Sequence, residues 1–377
     1  MSVNVKKAAG YISGLRKSRE EYLKKVPAQL AKIYSGKDKR PKPDHFKESS
    51  FLYIRSYNGD TGIRPFTGIN FWNSPDITIN PISNSGINTT ELYAGNTYNI
   101  RCRLNNRGDL MIPYPKVEFF LTDPSLGFNT TVAKLLGLTQ LPGLLLPASN
   151  DEAIMRYTVP ASESGHKCLF ARTYSFSPLD KPFDLNALDP RLDRHIGQQN
   201  LNIVPQGSTY TFNLVHQPNT LETVEFRPLS VRQVMVLQHP ALRELKITQL
   251  KDTQTLARIK VEVAAKTSHE LGMKNDKGIW QVTTSGKGIS LDKQGKIFKT
   301  TNAILEAIHS GKGSHQHFKR ELKPFTDMNR HVAVTAFQMT IPDFGTRKGY
   351  AVGFDIVNRN KIDGSIKGGI TIIATGK

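Results

Sequence analysis

Several residue groups in this chain have the side-chain types that catalyse reactions or hold metals, and their spacing decides against most of that chemistry. His269-Glu270 opens like the helix of a zinc protease, in which a second histidine four positions after the first completes the metal grip. That position is Met273. His315 and His317 offer two metal ligands, but no further Cys or His lies within a few residues, and a structural zinc site needs four. Asp189, Asp193 and His195 stand beside Arg191 and Arg194 and read as turn and capping groups. Gly286, Gly288, Gly311 and Gly313 fit turns rather than a phosphate cradle, and there is no Walker loop, nucleophile elbow or dinucleotide fingerprint. The expectation is therefore a protein that is not an enzyme and uses no cofactor or metal.

Two cysteines remain. Cys102 and Cys168 fall on alternating segments, which predicts that both face one core within bonding reach, either as a disulfide or as a pair of buried thiols. No Sec-type signal is read at the start of the sequence, so the expected location is the cytoplasm or export by another route, and thiols are favoured over a disulfide.

The elements that must position these residues are mostly strands. Over residues 98–104, Tyr98, Ile100, Cys102 and Leu104 alternate with Asn99, Arg101 and Arg103, the period of a half-buried strand. Residues 117–121, 153–159, 166–171 and 201–204 continue the pattern, the last closing a first unit before Pro205. A second series follows: Tyr210, Phe212 and Leu214; Val224 and Phe226; Val234 and Val236; Ile259, Val261 and Val263; then residues 332–341, 350–357 and 370–373. A Gly- and Lys-rich insertion at 266–324 breaks this series and holds Trp280 and a predicted helix over 302–309. The 377 residues exceed the roughly 100 that one sandwich needs, so the expected architecture is all-β, with two tandem sandwiches at 48–205 and 206–377. Ahead of them, residues 1–47 read as a basic helical arm and linker, with Ile12, Leu15, Tyr22, Leu23 and Val26 at helical spacing.

The net charge of +19 is concentrated. Residues 1–47 hold 13 Lys or Arg against 4 acids, and residues 274–324 hold 10 against 4, so these 98 residues carry +15 and leave +4 for the other 279. Such blocks predict a docking surface for an acidic protein partner. Candidate contacts are Lys6, Lys7, Arg16, Lys17, Arg19, Lys24, Lys25, Lys37, Lys39, Arg40, Lys319 and Arg320. Nucleic acid is a weaker candidate because the aromatic interleaving that stacks bases is missing, and an anionic membrane surface ranks with it. No run of about 18 uncharged apolar residues exists to cross a membrane as a helix.

Trp72 with Ser74-Pro75-Asp76-Ile77, the run from Tyr98 to Gly108, the Gly165-His166-Lys167-Cys168-Leu169 start of a strand, and Asp193-Arg194-His195 leading to Asn200-Leu201 together resemble a bacterial CARDB-type immunoglobulin-like domain over residues 74–205. The resemblance implies a binding or structural part of an adhesin, a cell-surface or secreted multidomain protein or a large assembly, and brings no catalytic residues with it. Cys102 and Cys168 lie on the strands that carry the inter-sheet bridge in antibody-like sandwiches, though the companion Trp is missing. A long connection over 128–147, with Leu135, Leu136, Leu138, Leu141 and Leu144 to Leu146, departs from the pattern; it is expected to pack over an open sheet end or to form a protein contact. The function expected is a non-enzymatic structural or docking component of a larger bacterial assembly or cell-surface system. The alternative is an effector or cargo protein with an activity in the 266–324 insertion.

Overall fold

The computed structural model describes residues 49–377 except 67–68, 85–87, 164, 218, 265–269, 286–288, 310–311 and 313–314; before Ser49 it describes Ser13 and Lys17 alone, both helical. The arm expected at 1–47 lies outside the described residues apart from those two.

The chain is mostly β-sheet, as its alternation predicts. A first pair of sheets encloses one core. In one sheet Thr97–Asn106 is central, flanked by Ser149–Thr158 on one side and by Ile77–Pro81 and Leu52–Tyr53 on the other. The other sheet runs Ile196–Gln199, Cys168–Tyr174, Lys116–Thr122, Lys134–Gln140, all antiparallel. Ile77, Tyr98, Ile100, Cys102 and Leu104 from the first sheet meet Val117, Phe119, Leu121, Leu169 and Ala171 from the second. The connection over 128–147 supplies the edge strand Lys134–Gln140, whose Thr139 hydroxyl donates to the Ile154 carbonyl at 3.1 Å and closes the side of the layer pair. Its Leu141 and Leu145 are buried in the core, while Leu135, Leu138 and Leu144 stay exposed.

A second pair of layers follows. One sheet runs Leu201–Pro205, Ile366–Thr375, Tyr350–Asn360, Thr220–Leu229, Ile279–Ser285, Glu270–Asp276; the other runs Val261–Val263, Ala333–Thr340, Thr209–His216, Ser125–Leu126. Phe212, Leu214, Phe337 and Met339 face Val224, Phe354, Ile356, Ile370 and Ile372 across the core. The expected closing strand at 201–204 does not close the first layer pair. It pairs in parallel with Ile366–Thr375, and Ile196–Gln199 closes the first pair instead, so the chain crosses over at the buried Asn200. Ser125–Leu126 makes the reciprocal excursion, pairing in parallel with Asn213 and Leu214.

Three other expectations are corrected. Val234 and Val236 are helical, in Val231–Val236, because the Ser230 side chain accepts from the Gln233 N–H while the Gln233 side chain accepts from the Ser230 N–H, a reciprocal cap that starts a helix. Ile259 precedes its strand, which begins at Val261. Within the 266–324 insertion, Glu270–Asp276 and Ile279–Ser285 form a hairpin that extends the larger sheet, and Trp280 packs on its core. The helix expected at 302–309 is the end of Leu291–His309, and His315–Asn329 follows it as a second helix. Ile297, Phe298, Thr301, Ile304, Leu305 and Ile308 make the buried stripe of the long helix and meet Leu322, Phe325 and Met328 of its partner.

Candidate functional site

The helical hairpin is seated on the rest of the molecule through its apolar face. Ile297, Phe298, Leu305, Phe325 and Met328 pack on Phe183, Ala187 and Leu192, which belong to the loop between Cys168–Tyr174 and Ile196–Gln199. Asn329, the last residue of the second helix, donates to Asp184 at 3.0 Å and accepts from Gln217 at 3.1 Å, and its carbonyl receives the Asn129 side chain. These bonds join the helices to both layer pairs. The insertion is thus a packed bridge whose inner face is already taken up.

The same loop contains Asp189, Asp193 and His195. Asp189 binds Arg191 through two of the guanidinium nitrogens, and Asp193 accepts from the backbone of Phe183 and His195 while lying 2.7 Å from His195 Nδ1. His195 is fully buried, and among the described residues its Nε2 has no partner. These bonds fix the loop. His269 lies outside the described residues. His315 is in the second helix, but its side chain and that of His317 lie outside the described ones; Met273 is partly buried against the second core. Among the described residues no cluster of three or more His, Cys, Asp or Glu could hold a metal ion.

Beneath the hairpin, where both layer pairs meet it, a cavity of about 50 Å³ is lined by Glu222, Lys367, His216, Phe298 and Phe325 among others. Glu222 is buried, and burial pushes its carboxyl up to about 7 against the opposing pull of Lys367 and the Asn358 amide, which donates to it at 2.6 Å. Lys367 stands 4.2 Å from the Phe298 ring centroid, and burial lowers its pKa. The space takes only a few water molecules.

The outward face of the hairpin is basic. Lys293, Lys296, Lys299, Lys312, Lys319, Arg320, Lys323 and Arg330 are exposed. Asp327 holds Lys323 at 2.5 Å and Arg330 at 3.7 Å; among the described residues no carboxylate pairs with the other six. Of the residues expected to touch a partner, Lys319 and Arg320 are on this face and Lys17 is exposed. Lys6, Lys7, Arg16, Arg19, Lys24, Lys25, Lys37, Lys39 and Arg40 lie outside the described residues. Sequence reading did not single out Lys293, Lys296 and Lys299, although Lys296 and Lys299 are three apart and therefore share a helix face.

The two thiols do not form the expected pair. Cys102 is in the core between the first two sheets; Cys168 projects from the opposite face of its own strand, among Phe120, Phe170, Leu188 and Ile196. Both are free and fully buried, and burial drives both pKa values well up. Leu169 and Ala171 occupy the phase assigned to Cys168. The reversal is physical: Cys168–Tyr174 is buried on both faces, so alternation there carries no inside and outside.

No helix among the described residues is long and apolar enough to cross a membrane. No family model matches the chain, and no curated protein matches it. Among solved structures it is similar at 7% identity, with a TM-score of 0.18, to the native conformation of E. coli alpha-2-macroglobulin, over 83% of this chain and 16% of that one. This chain thus spans 16% of the macroglobulin's length. A similarity at 7% identity and a TM-score of 0.18 also covers 87% of this chain and 97% of the CupB6 tip adhesin from Pseudomonas aeruginosa. At that TM-score neither likeness assigns a fold or a role.

Proposed function

We propose that this chain is a non-enzymatic structural or docking component of a larger bacterial assembly or cell-surface system, and that it binds an acidic protein partner through its basic segments. The observation that carries this reading is the two-sided use of the helical hairpin. Its apolar stripe is taken up by Phe183, Ala187 and Leu192, while Lys293, Lys296, Lys299, Lys319 and Arg320 stand exposed without a carboxylate partner among the described residues. Clustered cations repel one another, and an acidic surface turns that repulsion into attraction. The basic segment 1–47, at +9 by sequence, adds a second contact of the same sign.

The scaffold reading has its own support. The strand order Ile77–Pro81, Thr97–Asn106, Ser149–Thr158 in one sheet, and Ile196–Gln199, Cys168–Tyr174, Lys116–Thr122 in the other, is consistent with an immunoglobulin-like sandwich of CARDB type, with a second sandwich after it. Parallel pairing of Leu201–Pro205 with Ile366–Thr375 and of Ser125–Leu126 with Thr209–His216 would make the two act as one rigid body. The Glu222–Lys367 cavity lends the effector alternative little support, because at about 50 Å³ it is far below the roughly 300 Å³ at which ligand pockets begin.

Cross-linking of the full chain in lysate of its source cells, read by mass spectrometry, tests the proposal. Lys293, Lys299 and Lys319 should link to acidic segments of one recurring neighbour. Links scattered over unrelated proteins would remove the docking role.

A further inference from the structure

Between the first turns of Leu291–His309 and the turn that follows Tyr350–Asn360 runs a groove of about 540 Å³, within the roughly 300–1,000 Å³ range of ligand sites. Leu221, Leu291 and Ile362 give it an apolar floor, and Lys296, Lys299 and Lys361 stand around it. Asp292 is the one carboxylate in the lining, so the groove keeps a charge of +2 from three cations and one anion. Its end is built by close approach: a β-carbon at Gly295 would lie 2.9 Å from the Ile362 side chain, so glycine is what lets the turn reach the helix.

We propose that this groove is a docking site for an acidic peptide segment carrying one apolar anchor side chain, with the anchor on Leu221, Leu291 and Ile362 and flanking carboxylates on Lys296, Lys299 and Lys361. The proposal rests on the acidic-partner reading and deepens it. Charge selects the occupant. The chain's own net charge of +19, and the +9 of residues 1–47, disfavour a second copy or the amino-terminal segment. The lining contains no aromatic ring on which a nucleic-acid base could stack. The cations come from two segments, Lys296 and Lys299 from the helix and Lys361 from the turn, and a concave site suits a peptide strand better than it suits a flat bilayer surface.

The test uses the full chain and two labelled synthetic peptides of equal length and equal negative charge, one with a central Leu and one with Ser in its place, followed by fluorescence anisotropy at low salt. The Leu peptide should bind about tenfold more tightly, the effect of burying one apolar side chain. Leu291→Ser, at a position 38% exposed and so expected to fold, should erase the difference; K296E/K361E should weaken both peptides at least tenfold; K319E/R320E, outside the groove, should leave the preference intact. Equal binding of the two peptides by wild type, lost in K319E/R320E, would overturn the groove while leaving the acidic-partner reading standing. Binding of neither peptide would overturn both. Displacement of the Leu peptide by phosphatidylserine vesicles or single-stranded DNA at lower concentration than by unlabelled peptide would also overturn the proposal.

Discussion

The Trp72 indole ring occupies the space in which any residue but glycine at position 369 would place its β-carbon. Trp72 Nε1 and Asn73 Nδ2 both donate to the Thr371 hydroxyl, at 3.0 and 2.6 Å, and that hydroxyl donates to Asp355 at 2.6 Å. The segment between the first-sheet strands Leu52–Tyr53 and Ile77–Pro81 is thereby locked onto the last strand of the second layer pair. Gly369→Ala should cost about 3 kcal/mol by overpacking, and Trp72→Ala about 4 kcal/mol by leaving a cavity. Chemical denaturation of both and of the double variant checks the contact: the double should lose clearly less than the sum. Strict additivity would mean that the two residues do not touch.

Glu222 and Asp355 give the stability a pH dependence. Burial pushes each up to about 7, outweighing Lys367 and Asn358 at the first and the Thr371 and Asn70 hydrogen bonds at the second. In the unfolded chain both titrate near about 4. Between these values the native state holds protons that the unfolded state has released, so their contribution falls as pH rises from about 4 to about 7 and is flat above. Glu222→Gln keeps an acceptor for Asn358 and should add on the order of 2 kcal/mol at pH 8 with little change at pH 4. Melting curves at the two pH values decide it, and an unchanged curve at pH 8 contradicts a Glu222 whose pKa burial has raised.

His239 works in the opposite direction. Its Nδ1 accepts from the Ala241 N–H at 3.2 Å and caps a short turn, and burial lowers its pKa to about 4. As pH drops below about 6.5 the unfolded chain takes up a proton that the native state refuses, so stability is lost between about 6.5 and about 4. His239→Asn retains a capping acceptor without the titration and should flatten this acid limb. An acid limb identical to that of the wild type would assign the loss to other groups.

Half-buried strands were legible because their alternation has a phase: Thr97–Asn106, Thr209–His216 and Ala333–Thr340 fall where the pattern puts them. Where both faces are covered, as in Cys168–Tyr174 and Tyr350–Asn360, the strand can be found but not its inside. The parallel pairing of Leu201–Pro205 depends on a strand more than 160 residues away, and nothing local announces it. Two signals were present but unread. Ser230 and Gln233 have capping-box spacing, and the apolar stripe of the long helix starts at Ile297, ahead of the predicted Asn302. Gly295 and Pro324 argue locally against helix, and tertiary packing overrides them. Of the docking face, the charge was legible and the groove was not, because Leu221, Leu291 and Ile362 come from three distant segments.

The thiols provide a third chemical check. Because Cys102 and Cys168 are fully buried on opposite faces of different layers, the native protein should react with neither an aromatic disulfide reagent nor iodoacetamide, and should release two thiols on unfolding. A reductant should leave the melting temperature unchanged. A native mass two hydrogens light, with melting lowered by reductant, would show the bridge that this arrangement denies.

The central claim is that exposed cations on the helical hairpin, unpaired among the described residues, attach this body to an acidic partner. Gradient sedimentation of the tagged full chain in source-cell lysate, at about 0.1 M and about 1 M salt, tests it most directly, since the screening length falls from about 10 Å to about 3 Å between them. Wild type should travel with a larger particle at fixed ratio in low salt and come free in high salt. K293E/K319E/R320E, melting like the wild type, should run free in both. A wild-type chain that sediments alone in low salt, or a charge-reversed chain that stays with the particle, would contradict the account.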